Sequence, residues 1–408
     1  MANSMMLVFP LALAEYGRKF IVEGIMNNAV HADEHPMIKT AAEFGAEYVV
    51  PNAATWERQG GLGEEGIRPA AQVGLCGMLL ARDLGGQGMS KTDMTHVMEE
   101  LSKADMAYAF VIFVHNNLMN AIADKGTPEQ KELYLPAMLS GDCLGAFLLT
   151  EGQSGSDAAN VRTTARREDG GWVINGEKVW VSNAATAGLL SVYAQTDVSK
   201  GWRGIATFLV EADQPGVIRQ TPYRMMGAHA IGVGGFRFED CHVDESNVLL
   251  PPGEGFKGAM AGIELARANV AAMCCGIIAS SLEVALANCA ERRAFGQRIA
   301  DFQGLQWQLA DVATDLHAAR LMSYAALEAI DAGSPDTIQA AHAKKFATRA
   351  AQKGVANCMQ AMGAGGYKHD YPLARHLACA RMANYIDGTT EIQNVVISRE
   401  LLRPYDKV

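Results

Sequence analysis

The 408-residue sequence predicts an α+β protein in which a helical domain, a β domain and a helix bundle follow one another. Hydrophobic residues recur at helical spacing up to about residue 145 and again from about residue 256. The residues between these points form short β-branched or alternating runs that Gly, Asn and Asp interrupt. At about 150 residues per domain the length allows two or three domains, and we assign them to residues 1–145, 146–255 and 256–408.

Both outer domains are predicted to be helical because strong helix formers dominate their amphipathic runs, as in residues 94–126. The sequence GTPEQKELYLPAM at residues 126–138 adds a helix start, in which Thr-Pro precedes acidic residues. From residue 256 the helical period returns in four or five long segments joined by short polar turns. Such short connections favour an antiparallel bundle.

The middle domain is predicted to be a small β-barrel or sandwich because it contains short strand-like runs at regular spacing. These runs are AFLLTE, TTARRE, GWVINGEKVWVS, LLSVYAQTD, GIATFLVE and GGFRFEDCHV. The dipeptide Asn175-Gly176 is a hairpin signal, because type I′ turns need positive φ at both central residues. We therefore expect a turn at that dipeptide.

Composition and charge narrow the classes of function. Apolar residues make up 49% and charged residues 20%, which is typical of a globular protein rather than a disordered one. The net charge of −10, without any Lys/Arg-rich run, argues against nucleic acid as a partner. The two stretches that invite a membrane interpretation, at the N-terminus and at Val270–Ala279, are shorter than the roughly 20 apolar residues of a span. We expect a soluble protein without a membrane span.

Cysteine usage indicates a reducing compartment. The eight cysteines are scattered and form no CxxC pair, so they are expected to be reduced, buried thiols, and no metal site is predicted. The sequence shows no secretory signal and no Arg/Ser-rich transit peptide, so the expected location is the cytoplasm. An N-terminus that has already been processed stays an alternative.

Four segments carry residues suited to chemistry, and each also has a structural explanation. The Gly/Ser-rich residues 152–157 would cradle an anion or form an ordinary turn. Residues 176–184, GEKVWVSNA, would stack on a flat ring or form a core strand. Residues 291–311 begin with paired arginines that would reach an anionic partner or face solvent. Residues 359–372 and 385–393 combine Gly-rich backbone with an acid that would act on a ligand or cap a helix.

The order and spacing of these segments resemble those of the acyl-CoA dehydrogenase family from about residue 40 onward. The matching motifs are LLTEGQSGSD, NGEKVWVSNA, RRAFG with FQGLQ, QAMGAGGY and IDGTTEIQ. The resemblance implies an N-terminal helical domain, a central β domain and a C-terminal four-helix bundle. It also implies FAD as the cofactor, an electron-transferring flavoprotein as the electron acceptor, and a homotetramer built as a dimer of dimers.

The resemblance implies roles for several residues toward FAD. Thr150 would bond the pyrimidine side of the isoalloxazine, Trp180 would flank the ring, and Ser182 would meet N5, where the family usually has Thr. Arg292 and Phe295 would reach from a neighbouring subunit to the pyrophosphate and adenine side, where an Arg fork suits a pyrophosphate. The remaining implied FAD contacts are Ser156, Gln303, Gln360, Gly363, Ala364, Thr389 and Glu391.

The resemblance also implies the residues that act on the acyl-CoA. Arg267 would lie near the CoA portion and Glu264 near the pantetheine, with Ser156 and Gly388 as further contacts; as an ordinary i, i+3 helix pair, the first two would contribute only a few tenths of a kcal/mol. Asp387 stands where the family usually has its catalytic Glu, and it is the predicted base for the α-proton of the thioester. The backbone N–H of residue 387 would polarise the thioester carbonyl. Some relatives carry the base just before the Arg, where this chain has Ala266.

The shorter base leads to a hypothesis about the substrate. Asp is one methylene shorter than Glu, and a misplacement of ~1 Å can lower a rate ~100-fold. A cyclic or α-branched carboxyl-CoA, rather than a straight fatty acyl-CoA, would use the vacated space.

Arg82 would meet a second acid group of the substrate or form a surface salt bridge. Two other classes stay open: a nitroalkane-oxidase-like flavin oxidase with Asp387 as its base, and a non-catalytic flavoprotein.

Overall fold

The computed structural model describes residues 35–333 and 337–405, so the prediction for the N-terminal apolar stretch lies outside the described residues. The first domain is helical, as predicted. Its helices α1 to α6 are Pro36–Phe44, Val50–Gln59, Arg68–Gln72, Lys91–Ala104, Met106–Lys125 and Pro128–Leu139. A π-helical turn, Gly45–Val49, joins the first two.

Helix α6 begins where the sequence predicts a helix start. Thr127 is the N-cap residue, and its side chain accepts a hydrogen bond from the Gln130 backbone N–H. The Gln130 side chain bonds the Thr127 backbone N–H in return, which completes a capping box. The cap anchors α6 beside the middle domain, because the Gln130 amide also donates to Ser246 O and Val248 O at 2.7 and 3.1 Å.

The middle domain is a single eight-stranded sheet. Its strands β1 to β8 are Gly145–Leu148, Thr164–Glu168, Gly171–Val181, Leu189–Gln195, Ile205–Glu211, Val217–Arg219, Gly234–Asp244 and Val248–Leu250. The order along the sheet is β6-β7-β3-β2-β4-β5-β8, and β1 pairs with β4 in parallel. Each of the predicted runs overlaps one of these strands, so the β character of this region is confirmed.

The prediction of a turn at Asn175-Gly176 is wrong. This dipeptide lies inside β3, at a shift in the register between β3 and β7. Gly176 is required there because a Cβ on it would come within 2.7 Å of the Thr163 Cα. The hairpin turn is instead Asp169-Gly170, which joins β2 to β3 and in which Gly170 takes a positive φ of 83°.

The last domain is helical, and its first helix is its longest. Helices α7 to α11 are Gly255–Glu291, Gln303–Asp331, Thr337–Ala361, Leu373–Ala383 and Thr390–Leu402. A small hairpin follows α7 and is formed by β9 and β10, Arg293–Ala294 and Gln297–Arg298. Helix α7 packs against α8 and α9 and also against α4 of the first domain, so the two helical domains share one core.

Helices α5 and α7 are long and apolar enough to cross a membrane by length and composition, but 78% and 72% of their apolar windows are buried inside the protein. Packing in the shared core therefore accounts for the composition of both helices. The eight cysteines are free thiols, and all except Cys143 are buried. Within the described ranges, no group of three or more His, Cys, Asp or Glu side chains is arranged to hold a metal ion.

Candidate active site

A cavity of about 760 Å³ lies where the three domains meet. Helix α5 contributes an apolar wall, the β domain contributes hydroxyl groups and a Trp, and α7 and the segment before α11 close the cavity. The predicted site residues among its lining are Thr150, Ser156, Trp180, Ser182, Arg267, Asp387, Gly388 and Thr389. Segments that are far apart in the sequence thus form one site.

Asp387 lies in a left-handed turn just before α11. Its φ is 51°, and that of Gly388 is 91°. A non-Gly residue in this region carries strain of order 1 kcal/mol, and such strain is concentrated at functional sites. Thr389 ends the turn as the N-cap of α11, where its hydroxyl accepts from the Ile392 backbone N–H.

Three side chains hold this turn by donating to its carbonyl oxygens. Arg267 Nε bonds Asp387 O at 3.2 Å, Lys344 Nζ bonds Gly388 O at 2.7 Å, and Gln393 Nε2 bonds Gly388 O at 2.8 Å. The sequence analysis missed Lys344 and Gln393, since each acts through the backbone. Gln393 belongs to the quoted IDGTTEIQ motif, whereas Lys344 carries no local signal beyond being a lysine on the buried face of α9.

The carboxyl group of Asp387 is desolvated and close to two cations. Burial raises its pKa to about 6, although the positive charges of Lys344 and Arg267 oppose that rise. Its Oδ2 atom is buried and has no hydrogen-bond partner among the residues that the structure describes. A carboxylate left open in this way can take a proton from a bound molecule.

The β-domain wall is shaped by a bulge in β3. Between Lys178 and Val181 the pairing with β7 shifts, and Trp180 takes a positive φ of 56°. A bulge re-aims the side chain it carries. Trp180 is 62% exposed, and its ring packs edge-on against Tyr223 with centroids 4.9 Å apart.

A buried ion pair joins the two motifs of this wall, and the sequence analysis missed it. Lys178 Nζ bonds Glu151 Oε1 at 2.7 Å and Leu149 O at 3.0 Å. The same Glu151 carboxylate accepts the backbone N–H of Thr163 at 2.9 Å. Burial alone would raise the pKa of Glu151, but Lys178 and the Thr163 hydrogen bonds lower it to about 2. A signal was present, since both charges lie inside the quoted motifs on strand-like runs.

This wall fits an isoalloxazine. Thr150 and Ser182 offer hydroxyl groups and Trp180 offers an aromatic face in the same cavity. The backbone N–H of Val179 donates to Thr150 O at 3.0 Å, so the two flavin motifs are fixed relative to each other. Hydroxyl groups around a flat aromatic surface suit the polar edge and apolar face of a flavin ring.

Other predicted residues lie away from the cavity. Glu264 is not among its lining residues, because it falls beside the face of α7 that carries Ile263, Ala266 and Arg267; its charge acts on Arg267 instead. The expected contact of Glu264 with the pantetheine stays a prediction. Arg82 is exposed and also lies outside the cavity, so the structure does not place it at a substrate acid group.

The residues implied for the adenine side of FAD also lie outside the cavity of one protomer. Phe295 is 95% exposed, in the turn between β9 and β10, and has a φ of 50°. The implied FAD contacts that the cavity lining lacks are Arg292, Phe295, Gln303, Gln360, Gly363, Ala364 and Glu391. The expected reach of the first two into a neighbouring subunit stays a prediction.

Comparison with known proteins identifies the family. Models of the N-terminal, middle and C-terminal domains of acyl-CoA dehydrogenases match residues 31–142, 146–241 and 253–402. The short-chain specific acyl-CoA dehydrogenase of Mus musculus mitochondria is 34% identical over 91% of this chain and 91% of its own. The chain belongs to the acyl-CoA dehydrogenase family.

Solved structures agree with this membership. The butyryl-CoA dehydrogenase of Megasphaera elsdenii superposes with a TM-score of 0.87 at 32% identity, over 94% of this chain and 100% of that one. A chain described with the electron transferring flavoprotein of Acidaminococcus fermentans gives 0.88 at 34% identity, over 92% and 99%. The protein is an oxidoreductase that acts on acyl-CoA, and its cofactor is FAD, which structures of similar chains contain.

Proposed function

We propose that Asp387 is the catalytic base and that the substrate is a cyclic or α-branched carboxyl-CoA. One observation carries the first part: a buried carboxylate oxygen, to which no described residue donates a hydrogen bond, lies in the same cavity as the Trp180 and Ser182 wall. Ala266 also lines this cavity. The position at which some relatives carry their base therefore offers only a methyl group.

Several residues have separate roles in the dehydrogenation. Asp387 takes the α-proton, and the electron pair of the broken C–H bond forms the Cα=Cβ bond as the β-hydrogen leaves as hydride. When bound, FAD supplies the acceptor for that hydride. The backbone N–H of Asp387 bonds the thioester carbonyl and makes the α-proton more acidic. Arg267 keeps the turn in place through Asp387 O.

The lining of the cavity supports a broad, short acyl group. Phe110, Phe113 and Val114 form the apolar wall on α5, where an apolar acyl group would pack. Small residues from three other segments leave width around it, and these are Gly227, Gly262, Ala266 and Ala378. Gly227 and Ala378 are neighbours, since a Cβ on Gly227 would lie 2.6 Å from the Ala378 Cβ. The rings on α5 and these small residues together suit an alicyclic or branched group, although larger side chains such as Met260 and Tyr385 also line the cavity.

Two partners complete the proposal. An electron-transferring flavoprotein is the proposed electron acceptor, supported by the similarity to a chain described with such a protein. The assembly proposed is a homotetramer, supported by exposed aromatic side chains in the C-terminal domain, among them Phe295 and Tyr367 at 95% and 85%. A buried subunit interface would shield these rings from water.

The substrate proposal is tested by anaerobic titration and steady-state kinetics with a panel of CoA thioesters. We expect cyclohexanecarboxyl-CoA or isobutyryl-CoA to bleach the flavin absorbance and to show a kcat/KM at least about tenfold above butyryl- and octanoyl-CoA, a difference of about 1.4 kcal/mol. Phe113→Ala should raise the relative activity with octanoyl-CoA, because it opens the apolar wall. A preference of the wild type for butyryl- or octanoyl-CoA would reject the substrate class, and oxygen consumption with a nitroalkane would favour the flavin oxidase.

The acidity of Asp387 predicts a pH profile. Because the base acts only when deprotonated and its pKa is raised to about 6, kcat/KM with the preferred thioester should be level above pH 7. Below pH 6 it should fall by about tenfold per pH unit. The measurement is kcat/KM between pH 5 and 8, with protein stability checked at each pH. A profile that stays level down to pH 5 would contradict Asp387 as the base.

A further inference from the structure

Lys344 is a buried lysine that faces the catalytic turn. It lies within α9, its side chain is 1% exposed, and Nζ donates to Gly388 O at 2.7 Å. Within the described part of the chain, no carboxylate lies within 4.0 Å of this ammonium group. Burying an amine without a directly paired acid costs stability, so a functional reason for the charge is expected.

We propose that Lys344 is a positioning residue for Asp387, one that holds the turn through Gly388 O and stabilises the carboxylate form of the base. The proposal rests on the proposed role of Asp387. It goes beyond that role because Lys344 is not among the residues that line the cavity and so acts without touching the substrate.

The hydrogen bond explains how Lys344 would place the base. Gly388 O accepts from both Lys344 and Gln393, and Asp387 O accepts from Arg267. These three donors come from α9, α11 and α7, so the strained turn is held from three helices at once. Without Lys344, Gly388 O keeps only the uncharged amide of Gln393, and the Asp387 carboxylate can swing away from the α-carbon.

The charge explains how Lys344 would tune the base. The charged groups that lower the pKa of Asp387 are Lys344 and Arg267, while burial raises it. Each of these cations has a further titratable neighbour: the Glu264 carboxylate interacts electrostatically with Arg267, and the Cys274 thiol lies near Lys344. Removing the Lys344 charge leaves Arg267 as the cation beside a desolvated carboxylate. The pKa of Asp387 would then rise.

The experiment compares three variants of the FAD-loaded enzyme. Lys344→Met removes the charge and the donor, Lys344→Gln removes the charge and keeps an N–H donor on a side chain one bond shorter, and Lys353→Met is the matched control. Lys353 lies on the same helix but is exposed and pairs with Asp315 at 3.2 Å. The readouts are kcat and KM separately, the acid limb of kcat/KM, hydrogen–deuterium exchange of the amides of residues 388–392, and thermal unfolding.

We expect Lys344→Met to lower kcat by at least about tenfold with KM changed less than threefold, because a ~1 Å displacement of a base is sufficient for such a loss. The acid limb should move up by about one pH unit in both Lys344 variants. Amide exchange in residues 388–392 should quicken in Lys344→Met, and Lys353→Met should match the wild type throughout. If Lys344→Met does not fold, Lys344→Gln carries the same test of the acid limb.

Two results separate this proposal from the one on which it rests. Suppose that Asp387→Asn inactivates the enzyme, whereas Lys344→Gln or Lys344→Met keeps both the wild-type kcat and the wild-type acid limb of kcat/KM. That result would overturn the role of Lys344 alone. Full activity of Asp387→Asn would overturn the proposed base itself, and the positioning role with it.

Discussion

Asp387→Asn should lower kcat/KM by about 100- to 10,000-fold, the range that a general base contributes. The amide has the same shape but cannot accept the α-proton, and Asn is tolerated at positive φ, so the turn should persist. Within the described residues Oδ2 has no hydrogen-bond partner to lose, and burial disfavours the charged form, since the pKa of Asp387 is raised to about 6 even beside Lys344 and Arg267. Thermal unfolding should therefore occur at a temperature no lower than in the wild type. Stopped-flow reduction of the flavin by the preferred thioester measures the loss directly.

Asp387→Glu is the companion variant, since it restores the usual family side chain. It should stay at least about tenfold more active than Asp387→Asn, because it keeps a carboxylate. Its longer side chain fills the space that we assign to an α-substituent, so its preference should move toward butyryl-CoA. The assigned geometry of the base would be contradicted if Asp387→Asn kept an activity within threefold of the wild type. It would also be contradicted if Asp387→Glu kept the substrate preference of the wild type.

Lys178→Met should lower the free energy of unfolding by about 3–5 kcal/mol, the usual effect of removing one partner from a buried pair. The Glu151 carboxylate would stay buried with its main charge partner gone; Lys178 is 0% exposed and Glu151 is 4% exposed. Because this pair ties β1 and its following loop to β3, the Thr150 and Trp180 wall should loosen and FAD should dissociate more readily. Urea unfolding followed by circular dichroism, together with the flavin content after dialysis, measures both effects.

Two controls define the cause of that loss. The double variant Glu151→Gln/Lys178→Met removes both charges and should recover more than half of the lost stability, since no unpaired charge is left buried. Arg166→Met breaks an exposed pair with Glu168 on β2 and should change stability by less than about 1 kcal/mol. Equal effects of Lys178→Met and Arg166→Met would show that the buried pair has no special role.

The stability that Glu151 contributes depends on pH. Its pKa is lowered to about 2 in the folded protein from the ordinary 4.5 of a glutamate side chain. A carboxyl group with a depressed folded-state pKa contributes its full stability above the unfolded value and loses it as the pH falls. The difference in stability between the wild type and Glu151→Gln should therefore shrink between about pH 4.5 and pH 2.

Much of the fold and part of the site follow from local patterns. Helical periodicity locates the helices because a helix buries one face at a fixed spacing, and alternation locates the strands for the same reason. The motifs also contain about a third of the residues that line the cavity, Trp180, Ser182 and Asp387 among them. The wrongly predicted turn shows the limit of this approach. Asn175-Gly176 satisfies the rule for a hairpin, yet Gly176 is needed because the backbone of β3 passes close to Thr163 there.

By itself, the sequence determined the order of the domains, the family motifs and the presence of an Asp at the base position. Only the tertiary structure decided which distant groups act on that Asp. Lys344 and Arg267 precede it by 43 and 120 positions, and no local pattern records their approach. Their effect depends on desolvation and distance, both of which exist only once the helices pack around the turn.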